Sequence, residues 1–286
     1  MCEWECWSVW SQKIWLFITF PLYFTLLLVL VRHIKSQELN HSFYKLLISL
    51  ACLDLLNMIV KFIGFQCGEW GWCLDWVRTG GANYSKISFM LIVASSMGQH
   101  FSVLTVAVNR FTAFVWLFTH PQIWNRRVLY TVILLQWVIP VFIALPLWFE
   151  NGFSVTVTNT TAQLHVPTTT LTLAHGILSS TTILLVAAII LILYGIVFLR
   201  ACFLFPTTAL IGFAISLALL VFAGFVIYQH VATKTGHNQE IHRFEPFYVG
   251  FRLVGDLYCG LNPYILLIMS SSIRQKFLLC FRSGCH

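Results

Sequence analysis

The sequence predicts an all-α membrane protein, a bundle of seven transmembrane helices followed by a short amphipathic helix near the C-terminal end. Three observations carry that expectation. The 286 residues are 58% hydrophobic and only 9% charged, with a mean hydropathy of +0.81. Soluble domains carry about 25% charged residues, so a water-facing surface cannot be covered with what is present. Apolar runs of about 20 residues, the length that crosses a bilayer as a helix, recur along the chain. They are continuous rather than alternating with period two, which favours helices over a barrel. Finally, the net charge of +7 is scattered singly between these runs. Membrane lipid headgroups, and no nucleic acid, are the counter-charge this implies.

The runs place spans near 14–34, 43–64, 86–110, 128–149, 171–199, 205–230 and 246–269, forming a single domain over 1–286. The leader MCEWECWSVWSQK has Glu3 and Glu5 ahead of Lys13, and basic residues follow the first run. That is the reverse of a cleaved signal peptide, so the run reads as a retained helix. The fifth span has soft limits, because nothing between Glu150 and Arg200 is charged. Ser270, Ser271 and Ser272 interrupt the last run. The following IRQKFLLCF has the period of an amphipathic helix lying on a membrane surface, covering 271–282.

Basic residues set the expected orientation. Arg32, Lys35, Lys45, Arg110, Arg126, Arg127, Arg200, Arg274, Lys276 and Arg282 fall on one side. The smaller set on the other side is Lys13, Arg78, Lys86, Lys234 and Arg243. The excess predicts an extracellular N-terminus and a cytoplasmic C-terminus, multi-pass in the plasma membrane. Cys2, Cys6, Cys67 and Cys73 are then outside, with three pairings open to them. A local Cys67–Cys73 bridge and free thiols both remain open. Cys280 and Cys285, in the short basic tail, are palmitoylation candidates. Of the Asn-x-Ser/Thr sites, Asn40 is inside and Asn83 hugs the membrane, leaving Asn159 as the glycosylation candidate.

Charges within a span are costly and face the bundle interior. Asp54, in SLACLDLLN, is either part of an ion or water site or a hydrogen bond that fixes helix packing. Arg252 and Asp256 stand one turn apart on one face and would pair. Pro263 kinks the last span, and Asn262 beside it can satisfy a freed carbonyl. At the end of the third span, Asn109-Arg110-Phe111 sets a lone guanidinium among Val, Ala and Phe with no acid nearby. An arginine snorkelling to lipid phosphate is the plainer account of it.

Taken together, seven spans, an outer N-terminus, Asp54 in the second span, NRF closing the third, Trp137 in the fourth and LNPYILL in the seventh resemble the rhodopsin-like G-protein-coupled receptors. The resemblance runs over nearly the whole chain. In detail it is most similar to the nematode serpentine chemoreceptors of the class gamma and class V group. Asn109, Arg110 and Phe111 match that superfamily's Asp-Arg-Tyr position. Asn262 and Pro263, with Tyr264 beside them, match the start of its Asn-Pro-x-x-Tyr motif. The departures are Asn109 in place of the acid, Leu266 in place of the motif tyrosine, a sixth span without proline, and no cysteine between Gly152 and Arg200.

The resemblance implies a chemosensory receptor that binds an extracellular small-molecule ligand and activates a heterotrimeric G protein, on the ciliary membrane of sensory neurons. Arg110 would be the switch, held more weakly by neutral Asn109 than by an acid. Arg126, Arg127, Arg200, Arg274 and Lys276 would contact the G protein or lipid. The ligand would enter between the outer halves of the third, fifth, sixth and seventh spans, where Met90, Ser95, Tyr228, Gln229, Tyr248, Phe251 and Arg252 are candidates. Gln99 and His100, deeper, read as packing or transmission residues.

No cofactor is implied. His230, His237 and His242 fit no compact zinc spacing, and Asp256 cannot form the Schiff base that a retinal protein needs from lysine. No HExxH or GxSxG motif suggests an enzyme. A seven-helix transporter using Asp54, Arg252 and Asp256 is the rival reading, although no repeated half is evident.

Overall fold

The computed structural model describes residues 3–36, 39–167, 169–201, 264, 267 and 271–282. The expected sixth span and most of the seventh lie outside them, with Tyr228, Gln229, Tyr248, Phe251, Arg252, Asp256, Asn262 and Pro263. Five of the described helices are long and apolar enough to cross a membrane.

Helix α1 (Glu3–His33) carries Pro21 in its interior. The Thr25 hydroxyl donates to the Pro21 carbonyl at 2.7 Å. Helix α2 (Ser42–Lys61) continues through a π-helical turn, Phe62–Gln66, into the single turn α3 (Cys67–Glu69). A π turn leaves carbonyls off the usual ladder, and the Tyr84 hydroxyl donates to one of them, that of Ile63. Gly64 lies in this turn, where an added Cβ would stand 3.1 Å from the Ser88 side chain. Its lack of a side chain lets α2 approach the next helix closely.

That next helix, α4 (Leu74–Val115), runs 42 residues, roughly 60 Å at 1.5 Å per residue. It therefore begins and ends well beyond the 86–110 stretch read from hydropathy. Gly81, at φ +51° and ψ −131°, breaks it near the start, a conformation suited to glycine. The short α5 (His120–Ile123) and α6 (Arg126–Ala144) follow, with Asn125 capping α6 by accepting from the Val128 amide at 3.1 Å. A 3₁₀ turn, Leu145–Phe149, leads into strands β1 (Ser154–Val157) and β2 (Ala162–His165). These pair antiparallel, Ser154 opposite His165 and Val157 opposite Ala162. The sequence reading assigned this segment no strands, since four alternating residues give too short a period to register. Helices α7 (Thr170–Ala201) and α8 (Ser271–Arg282) complete the described chain.

Helix α4 is the axis of the packing and touches α2, α6, α7 and both strands. The main core joins α1, α2, α4 and α6 through Tyr23, Leu26, Leu30, Leu46, Leu50, Met58, Val106 and Leu129, and Ile273 of α8 closes it. A second cluster joins α4 to α7 through Ala107, Val186, Ala187 and Ile190. On α1 and α6, Phe17, Phe24, Leu28, Leu134, Val141 and Phe142 stay exposed. In water such a surface would be a liability, and in a bilayer it is the lipid-facing side.

Candidate functional site

Polar side chains run along the interior face of α4 at helical spacing, Ser95, Gln99, Ser102 and Asn109 all being buried. Each can be satisfied only from a neighbouring helix or the local backbone, because lipid offers no partner. Asn57 of α2 donates to the Gln99 carbonyl oxygen at 2.9 Å and accepts from Ser95 at 3.1 Å. One layer away, the Trp137 indole donates to Ser49 at 3.2 Å, and Ser49 donates to Gln136 at 3.1 Å. Asp54, fully buried, accepts from the Tyr23 hydroxyl of α1. Gly98 permits this layering, since its Cβ would press on Leu53 at 3.1 Å and on the Gln136 carbonyl at 3.2 Å.

The far end of α4 is organised separately. Asn109 donates to Ser42 at the start of α2, at 3.0 Å. The expected hold of Asn109 on Arg110 is thus not what the structure has, because successive helical side chains point about 100° apart and this one is committed to α2. Arg110 instead lies over the Phe43 ring, 4.7 Å from its centroid. Phe111 meets Trp116 edge-on at 5.8 Å. The Thr112 hydroxyl accepts from the Trp124 indole at 2.8 Å, donates to the Asn109 carbonyl at 3.0 Å and lies 3.1 Å from His120 Nδ1. Burial, and then the nearby His41, hold the His120 imidazole below its ordinary pKa. Between the start of α2, the end of α4 and α5 lies a cavity of about 590 Å³ that Arg110, Asn109 and Trp124 help to line.

The other sequence-derived candidates are dispersed. Ser95 is turned towards Asn57, and Met90 is half-buried on α4. Arg126 and Arg127 are exposed at the start of α6, the former 5.8 Å over Tyr130. Lys276 of α8 donates to Ser36 at 3.0 Å, while Arg274 is exposed. The Arg200 and Cys280 side chains and all of Cys285 lie outside the described residues. The Tyr264 hydroxyl is 3.3 Å from that of Thr19 in α1. Asn159 is exposed in the β1–β2 turn, and Cys67 is bonded to Cys73. No group of three metal-ligating side chains occurs among the described residues.

The sequence reading did not single out Tyr23, Ser49, Asn57, Gln136, Thr112 or Trp124. The polar positions 95, 99, 102 and 109, repeating every three or four residues on one face, were the signal available for several of their partners.

A family model described as the serpentine type 7TM GPCR chemoreceptor Srv matches residues 12–283. The chain belongs to that family. It is also 25% identical over 259 residues to serpentine receptor class V-1 of Caenorhabditis elegans, covering 83% of this chain and 78% of the relative. Family membership and the apolar helices together make this a multi-pass membrane protein of chemoreceptor type, in a receptor family rather than an enzymatic one. The buried polar layers between α1, α2, α4 and α6 are therefore the interior of a serpentine receptor bundle.

Proposed function

We propose that the chain binds an extracellular small molecule and, through Arg110, activates a heterotrimeric G protein. The observation that carries this is the state of Arg110. It stands at the end of the central helix, on an aromatic ring, with no carboxylate partner among the described residues. A guanidinium held by a ring face alone, worth about 0.5–1 kcal/mol at an exposed site, is available to carbonyl or carboxylate acceptors of a docking partner. Asn109 and the Thr112–His120–Trp124 cluster anchor the backbone on either side of it, so the arginine alone is left to change partners.

In this reading the N-terminus and the β1–β2 hairpin are extracellular, Asn159 carries glycan, and the Arg110 end, α8 and the acylated Cys280 and Cys285 are cytoplasmic. The ciliary membrane of sensory neurons suits a chemoreceptor. The ligand enters on the hairpin side, reaching Met90 and the outer residues Tyr228, Gln229, Tyr248, Phe251 and Arg252. Asp54 and Asp256 are the proposed intramembrane polar or ion-site residues. Arg126, Arg127, Arg200, Arg274 and Lys276 contact the G protein or the lipid heads, and Asn262, Pro263 and Tyr264 form the movable segment of the last helix.

The test is recruitment of labelled Gα probes to the surface-expressed chain, screened against small-molecule fractions, with Arg110→Ala beside the native protein. The expected result is ligand-dependent recruitment that falls at least tenfold in the variant, about 1.4 kcal/mol of lost interaction. Equal recruitment by both proteins would remove Arg110 from the mechanism. A solute flux from a surface-expressed protein that recruits no Gα would favour a carrier.

A further inference from the structure

We infer that the cavity between α2, α4 and α5 is a binding site for a phosphate ester carried on a small polar ring, of the kind found on phosphorylated lipid headgroups. Its volume of about 590 Å³ falls within the range of about 300–1,000 Å³ typical of small-molecule sites. One guanidinium, Arg110, and two imidazoles, His41 and His120, line it, and no Asp or Glu does so among the described residues. A site of that composition selects an anion.

The backbone adds to this. Helix α2 starts at Ser42 with His41 extended before it, no side-chain cap and no acid in its first turn. The first amide groups of a 20-residue helix and its positive dipole end therefore reach the same space. Ser42, the nearest hydroxyl that could have served as a substitute acceptor, is occupied by the Asn109 amide. Tyr44 and Trp124 supply flat apolar walls, against which the carbon face of a ring can lie while its phosphates meet Arg110 and the imidazole nitrogens.

Position argues for a membrane source. Directly after α4, Trp116 and Leu117 are exposed and Phe118 is 92% exposed. Aromatic and apolar side chains of this kind settle at headgroup depth, which puts the cavity mouth level with lipid phosphates. The inference concerns the resting chain and does not depend on which partner Arg110 later meets.

The test uses the full chain in nanodiscs of phosphatidylcholine, alone or doped with phosphatidylinositol bisphosphate, or with phosphatidylserine at matched charge. Retained lipid is read by mass spectrometry, and affinity by displacement of a fluorescent phosphoinositide. Selective retention of the phosphoinositide is expected. His41→Gln and His120→Gln should each weaken it about tenfold, the loss of one imidazole hydrogen bond to the phosphate, while Lys35→Ala, exposed in the adjoining loop, should leave it unchanged. Melting temperatures of the variants confirm that they are folded, and His41→Arg, which keeps a donor at this position, should retain binding.

Soluble inositol trisphosphate distinguishes the two sources of the same chemistry. Displacement by it at equal affinity assigns the site to a free sugar phosphate, and failure to displace assigns it to the lipid-borne form. Retention of phosphatidylserine as strong as that of the phosphoinositide would overturn the inference. So would a loss with Lys35→Ala equal to that with His41→Gln, because both mark diffuse surface charge.

Discussion

Asn57 ties α2 to α4 where the sequence separation is 42 residues, and its replacement by leucine tests whether such a contact carries stability. The variant removes the donor that Asn57 gives to Gln99 Oε1 at 2.9 Å. Ser95 loses its Asn57 acceptor but retains a bond to the Ile92 carbonyl at 3.2 Å, so its hydroxyl is not stranded. The main cost is the loss of this one bond to the buried Gln99 side chain. A buried polar group deprived of its partner costs about 1–3 kcal/mol, while hydrogen bonds between membrane helices average about 0.6 and reach about 1.7 kcal/mol. A loss of about 1.5 kcal/mol reconciles the two ranges, and corresponds to a melting temperature about 3–6 °C lower.

Gln99→Leu removes the same bond from its other end and should cost a similar amount. The double variant Asn57→Leu/Gln99→Leu leaves neither group unmatched and should melt no lower than either single one. Intrinsic-fluorescence melts of all four proteins in one detergent give the coupling directly. Strict additivity, with the double variant losing the sum of the single losses, would refute the assignment of this pair as a stabilising contact.

Three further outcomes follow from particular residues. Gly71 has φ +77°, and a Cβ there would sit on the Thr160 carbonyl oxygen, so Gly71→Ala should cost about 1–3 kcal/mol and lower the melting temperature; an unchanged melt would refute the close approach of Gly71 to Thr160. His120 is neutral more readily in the folded chain than its ordinary value of 6.5 implies. Its contribution is therefore complete above that value and lost as pH falls below it, and amide exchange across 116–125, corrected for intrinsic rates, should accelerate between pH 7.5 and 5.5 but not in His120→Gln. Asn109→Asp removes the amide that donates to Ser42 and adds an acid one residue before Arg110, so basal Gα recruitment should fall about threefold through the added charge; raised basal recruitment would contradict a resting Arg110 held only weakly, on the Phe43 ring.

Membrane class and the presence of long apolar helices were legible in the sequence because a span is a local property, although α4 runs well past the stretch that hydropathy marked. Lipid offers no hydrogen-bond partner, so about 20 apolar residues must stand in a row whatever their neighbours do. The NRF triplet, Asp54 and LNPY could be read for the same reason, each being a short departure from that rule. Partner choice could not be read. Tyr23 meets Asp54, Ser49 meets Gln136 and Asn109 meets Ser42 across separations of 31, 87 and 67 residues. Which face of a helix finds which neighbour depends on how α1, α2, α4 and α6 pack, and no single segment encodes that. The Cys67–Cys73 bond was one of three pairings until the turn at α3 brought the two together at a Cα separation of 5.5 Å. The cavity beside Arg110 needs three elements at once, the uncapped start of α2, the end of α4 and the short α5. The sequence by itself determined that this chain lives in a membrane as a bundle of helices, since that follows from transfer of each helix into lipid, and its short motifs carried the resemblance to serpentine receptors. Only the tertiary structure decided what its buried polar groups bind, since in a dry interior each must take the one partner that packing brings within about 3 Å.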